Sequence, residues 1–96
     1  MNVEDKCVII LQMNITLKLF ASLTDYLPAA SKYTNIVALS VADGTTIGSV
    51  VEQHSLPAKW VHLVLVNGVY IYPEQRAAHT LIEGDVLAIW PPIAGG

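Results

Sequence analysis

From Ile15 to Leu19 apolar and polar residues alternate, with Ile15, Leu17 and Leu19 on one side. Period-two alternation predicts a half-buried strand, here over Met13–Phe20. Ala21–Leu27 places Leu23, Tyr26 and Leu27 on one helical face, and Pro28 limits that helix. Residues 29–35 are small and polar and read as a loop. Ile36–Val41 predicts a second strand with Val37, Leu39 and Val41 on one side, closed by the turn signal Asp43-Gly44.

Thr45 and Thr46 are candidate N-caps for a helix from Ile47 to about His54, whose inner face would carry Ile47, Val50, Val51 and His54. Gly48 weakens that helix by up to about 1 kcal/mol relative to alanine, and Pro57 stops its continuation. The clearest local signal follows. Leu63–Val66 and Val69–Tyr72 flank Asn67-Gly68, and an Asn-Gly pair accepts the positive φ angles of a type I′ hairpin. Pro73–Thr80 reads as a loop. Leu81-Ile82-Glu83-Gly84-Asp85 turns the chain into a last strand, Val86–Trp90, with Glu83 and Asp85 expected to serve the turn. Pro91-Pro92 must end that strand, because proline has no N–H to donate. The order strand, short helix, strand, helix, strand, strand, strand suggests an α+β layer fold. Residues 1–12 read as an extension, either a true tail or an upstream start ahead of Met13. Residues 13–90 form the domain, and 91–96 a tail.

Composition narrows the function. At 96 residues, 53% hydrophobic and 14% charged, the chain fits one folded domain. A net charge of −3 without a basic run argues against nucleic acid. The most apolar stretch, Cys7–Phe20, is interrupted by Gln12, Asn14, Thr16 and Lys18, whereas a membrane span needs about 20 mostly apolar residues. The first six residues include two acids and a lysine and do not make a secretory signal. The expected location is the cytoplasm, with no membrane partner. Cys7 has no partner cysteine for a disulfide and reads as a small apolar residue. His54, His62 and His79 lack metal-ligand spacing, so no metal is expected, and His54 reads as a core-edge histidine. There is no phosphate-binding glycine loop, so any ATP must be bound by a partner.

The remaining candidate for chemistry is the tail, against the plain alternative that Gly95-Gly96 is a flexible end with no role, which the preceding proline pair weighs against. Pro91-Pro92 favours a stiff, extended chain, and the stretch Pro91–Gly96 reaches roughly 20 Å at ~3.3 Å per residue. Gly95 and Gly96, without a Cβ, can pass through a narrow channel. A carboxylate is a poor acyl electrophile until activated, for example as an acyl-adenylate. Sulfur can then displace AMP and leave a thiocarboxylate on Gly96.

Leu81-Ile82-Glu83-Gly84-Asp85, a short apolar strand, Pro91-Pro92, Ile93-Ala94 and Gly95-Gly96 together resemble the C-terminus of the molybdopterin synthase small subunit. That subunit belongs to the sulfur carriers of molybdopterin and thiamine biosynthesis. Leu17-Lys18-Leu19-Phe20-Ala21, Asp43-Gly44-Thr45-Thr46-Ile47 and Val64-Leu65-Val66-Asn67-Gly68 resemble its first strand, the start of its main helix and its central hairpin. The resemblance covers about residues 14–96.

It implies a ubiquitin-like β-grasp: a mixed sheet of about five strands packed on one main helix, with a flexible Gly-Gly tail. By the same resemblance an E1-like ATP-using enzyme would adenylate Gly96, and a sulfur source would convert it to the thiocarboxylate. The tail, Pro91, Pro92, Ile93, Ala94, Gly95 and Gly96, would then enter the large catalytic subunit of molybdopterin synthase. The chain itself would hold no cofactor and supply no catalytic side chain. Partners would grip Phe20, Trp90 and Val69. Related carriers that serve thiamine, an amino-acid pathway, tungsten cofactor or protein modification share the tail chemistry, and a non-carrier β-grasp binding module is the contrasting expectation.

Overall fold

The computed structural model describes residues 11–31 and 34–92. Cys7, nearly all of the expected extension, and Ile93, Ala94, Gly95 and Gly96 lie outside the described residues. Five strands are present: β1 (Gln12–Leu19), β2 (Ile36–Ala42), β3 (Leu63–Val66), β4 (Val69–Tyr70) and β5 (Val86–Trp90). They form one mixed sheet in the order β2-β1-β5-β3-β4. The first and last strands lie side by side and parallel, Leu17 beside Leu87, and every other neighbouring pair is antiparallel. One α-helix, α1 (Ile47–Gln53), contributes to the buried side. This is the ubiquitin-like β-grasp arrangement.

Alternation drives the layering. Ile15, Leu17 and Leu19 of β1 point to the same side as Val64 of β3 and Leu87 and Ile89 of β5, and all are essentially without solvent contact. α1 adds Ile47 and Val50, both fully buried. A helix this short has little stability of its own, so its apolar face and its cap hold it. The Thr46 hydroxyl accepts the Ser49 N–H at 3.1 Å. Gly48, a weak helix former, has a tertiary role. Its N–H donates to the Arg76 carbonyl at 3.0 Å, and a Cβ there would stand 3.1 Å from Ala77 Cα. Glycine lets the 76–77 backbone lie directly on the helix.

Two turns lock the sheet. Asn67 and Gly68 have φ of 52° and 83°, the doubly positive pair that a type I′ hairpin requires. The Asn67 side chain then reaches across to the turn before β5. Its Nδ2 donates to Asp85 Oδ1 at 2.9 Å, and its Oδ1 accepts the Val86 N–H at 2.8 Å. Asp85 is buried and also accepts the Ile82 N–H at 2.9 Å.

Three local expectations change. The stretch after β1 is a 3₁₀ turn over Ala21–Tyr26, with Leu23 and Leu27 buried but Tyr26 exposed. The chain leaves helical angles at Leu27 (φ −88°, ψ 155°), so Leu23, Tyr26 and Leu27 do not lie on one continuous helical face. β4 stops at Tyr70 rather than Tyr72, because Ile71 turns into the core and gives its carbonyl to Arg76 Nε at 3.0 Å. Short 3₁₀ turns occupy Ala29–Ser31 and Pro73–Gln75, where the pattern suggested only loop, and a third lies at Ala58–Trp60.

Candidate functional site

The tail is rooted at the end of β5, a strand with neighbours on both sides. The Trp90 carbonyl takes the last rung from the His62 N–H at 3.0 Å, and the Ile89 carbonyl accepts the Phe20 N–H at 3.2 Å. Beyond this point Pro91 and Pro92 have no donor to continue the ladder. Pro91 is buried and Pro92 exposed, so the chain leaves the domain between them.

Trp90 and Phe20 stack with ring centroids 4.2 Å apart and planes 2° from parallel. Ile89 is inward, so the pleat sends Trp90 to the other side of the sheet, the one α1 does not cover. Phe20, the residue directly after β1, lies on that same side. Both rings are half-buried. The register extends this surface: Leu63 lies beside Trp90, and the next row across the sheet reads Ile36, Lys18, Ala88, Leu65, Tyr70. Lys18 is the only charged residue in these two rows. The tail root therefore opens onto a mostly apolar face carrying a single cation.

Val69 does not join this surface. It pairs with Val66, and directly opposed residues in an antiparallel pair share a face. Val66 is a core residue, so Val69 projects on the α1 side, at the hairpin end of β3 and away from Trp90. It is 63% exposed there. Tyr70 occupies the open side in its place. Its ring lies edge-on to Tyr72, with centroids 5.0 Å apart, and 5.8 Å from the Arg76 guanidinium. Leu63, Leu65, Ala88, Ile36 and Lys18 were not singled out from the sequence. The parity of each strand could have placed them on the outer side, but their gathering into rows depends on which strands are neighbours.

Ser22, Leu23, Asp25, Tyr26 and Trp60 line a shallow notch of about 260 Å³ next along the chain from Phe20. His54 gives its Nδ1–H to the Val50 carbonyl at 3.0 Å, within its own helix. Among the described residues no three His, Cys, Asp or Glu side chains gather as metal ligands, and no helix is long and apolar enough to cross a membrane.

A mixed five-stranded sheet with α1 on one side defines the class: the chain is a ubiquitin-like β-grasp protein. Within that class it belongs to the Mut7-C ubiquitin family, whose sequence profile matches residues 12–94. Solved structures agree. Small archaeal modifier protein 1 of Haloferax volcanii is 27% identical, with a TM-score of 0.60 over 86% of this chain and 99% of that one. Another Haloferax volcanii protein is 23% identical, with a TM-score of 0.68 over 88% of each chain. A Pyrococcus furiosus protein described as a candidate molybdopterin converting factor, subunit 1, is 16% identical, with a TM-score of 0.61 over 84% of this chain and 99% of that one. The last two are likenesses of fold alone. No curated protein matches the chain.

Proposed function

We propose that this protein is a ubiquitin-like carrier that works through the Gly96 carboxylate. The observation that carries the reading is Pro91-Pro92-Ile93-Ala94-Gly95-Gly96 rooted beside the Phe20–Trp90 stack. A partner ATP-using enzyme docks on the open face and takes the tail. A Gly96 carboxylate oxygen attacks the α-phosphorus of ATP, pyrophosphate leaves, and an acyl-adenylate forms. A sulfur nucleophile then attacks the acyl carbon, AMP leaves with the bonding pair, and the product is the thiocarboxylate. The cytoplasm, where ATP and reduced sulfur are available, is the setting.

Delivery of that sulfur to a pterin precursor, inside the large subunit of molybdopterin synthase, is one acceptor reaction of such a carrier. A second reading is supported by the likeness to small archaeal modifier protein 1. A lysine amine on another protein attacks the same activated carbonyl, AMP leaves with the bonding pair, the nitrogen gives up a proton, and an amide bond remains. Both readings share the tail, the activation and the docking face, and differ only in the nucleophile.

The test is the intact mass of the protein after incubation with ATP, an activating enzyme and a sulfur source. The expected result is a mass gain equal to replacement of one oxygen by sulfur, located on Gly96. Deleting Gly96 should abolish the gain while leaving the fold unchanged. A variant lacking Gly96 that still accepts sulfur would sink the reading. Mass-shifted lysine conjugates, against transfer to a pterin, then decide between the two acceptors.

A further inference from the structure

The sheet has two edges, and they are protected differently. β4 is only two residues long and is followed closely by Pro73. β2 runs for seven residues, Ile-Val-Ala-Leu-Ser-Val-Ala, without a charge or a proline. Long, uncharged edge strands are ready templates for pairing, and most proteins blunt them.

The hydrogen bonds show which groups of β2 are free. Leu19 N–H donates to the Asn35 carbonyl and Asp43 N–H to the Leu11 carbonyl, at 3.0 and 2.8 Å. In an antiparallel ladder these bonded pairs alternate. Val37, Leu39 and Val41 therefore bond to β1, while Ile36, Ala38, Ser40 and Ala42 turn their N–H and C=O groups outward. Both ends of that outward row are already engaged. The Thr34 hydroxyl bridges the N–H and carbonyl of Ile36, and the Ala42 carbonyl accepts from the Thr45 N–H and hydroxyl. Among the described residues nothing takes the N–H or C=O of Ala38 or Ser40.

The free groups are thus centred on Leu39, and so is the sequence. Val37-Ala38-Leu39-Ser40-Val41 reads nearly the same in either direction: valine, small residue, leucine, small residue, valine. The geometry points to a second copy of this chain as the partner of β2, paired antiparallel about a twofold axis at Leu39. In that register Ala38 and Ser40 of each copy exchange both main-chain bonds with Ser40 and Ala38 of the other. Leu39 meets its own counterpart as a non-bonded pair on the core side, where Val37 and Leu39 are only half-buried in the single chain. Each Val37 meets a Val41. No residue from Asn35 to Ala42 is charged, so the twofold brings no like charges together. The Phe20–Trp90 stack and tail root of each copy stay accessible, because they lie across β1 from the paired edge. The interface is small, in the weak and reversible range.

The test uses the full chain with Cys7→Ser as background. Sedimentation should show a concentration-dependent monomer–dimer equilibrium. Ser40→Pro removes an N–H that points away from β1, a position where an edge strand accepts proline. It should weaken the dimer by about tenfold or more, with unchanged circular dichroism. Leu39→Cys should form an interchain disulfide on mild oxidation, because directly opposed non-bonded residues have Cα atoms about 4.5 Å apart. Val37→Cys should not, because its counterpart lies several residues along the strand. Any of three results overturns the proposal: a monomer at every concentration, crosslinking of Val37→Cys but not of Leu39→Cys, or a dimer that survives Ser40→Pro but is lost on deleting residues 1–10.

Discussion

On the α1 side of the sheet, Leu17, Val64, Leu87 and Ile89 have no solvent exposure, and they share one core cluster with Ile47 and Val50 of the helix. On the other side, Lys18, Leu63, Leu65, Phe20 and Trp90 are only half covered, although most are just as apolar. The same alternating strands build both sides. What differs is that one side has a helix to bury it and the other has none among the described residues. Apolar residues on the first side hold the fold. On the second they form the docking face proposed above, and aromatic residues such as Trp90 are common interface anchors.

Substitutions on the two sides should therefore separate stability from binding. The largest effect is expected on the closed side. Ile89→Ala should cost about 2–5 kcal/mol through lost burial and a residual cavity, read as a lower urea midpoint with an unchanged slope. If the cost is under about 1 kcal/mol, the closed side is not the structural one. Asp85→Ala comes next. Asp85 is the buried polar residue among the described ones, and its loss strands the Asn67 amide and the Ile82 N–H. About 1–3 kcal/mol is expected, and Asn67→Ala should add little to it, because the two share one network.

Smaller still is the coupling on the open side. A double-mutant cycle between Phe20→Ala and Trp90→Ala should return about 0.5–1.5 kcal/mol for the stack. The same Trp90→Ala variant should lose far more in the rate of Gly96 activation than in stability. Equal losses would make Trp90 a core residue and dissolve the contrast between the sides. The smallest effect is expected at Val69, which the pleat turns away from the tail root. Val69→Ala should change both stability and activation by less than about 0.5 kcal/mol, measured by the same melts and mass spectra.

Much of this was legible in the residues. The alternation in Met13–Phe20 and Ile36–Val41 named the inward sets correctly, because a strand's period of two fixes its faces without further information. Thr46 and Asn67-Gly68 marked their cap and turn through chemistry that acts over a few residues. Tyr26 was not legible, since its exposure depends on where a 3₁₀ turn gives way to extended chain. Val69 was not either: its face is set by the residue opposite, Val66, and that requires the hairpin register as well as the turn type.

By itself the sequence determined the five strands and α1, the inward faces of β1 and β2, and a proline-stopped last strand ahead of Gly-Gly, all consequences of backbone sterics and hydrogen-bonding capacity within a short span. Only the tertiary structure decided that β1 and β5 lie parallel at the centre of the sheet. That pairing sets Phe20 on Trp90 and gathers Lys18, Ala88 and Leu65 into one surface at the root of the tail. The physical reason is that a parallel pair is joined through everything between its strands. Its register is fixed by how the whole core packs and by no local signal.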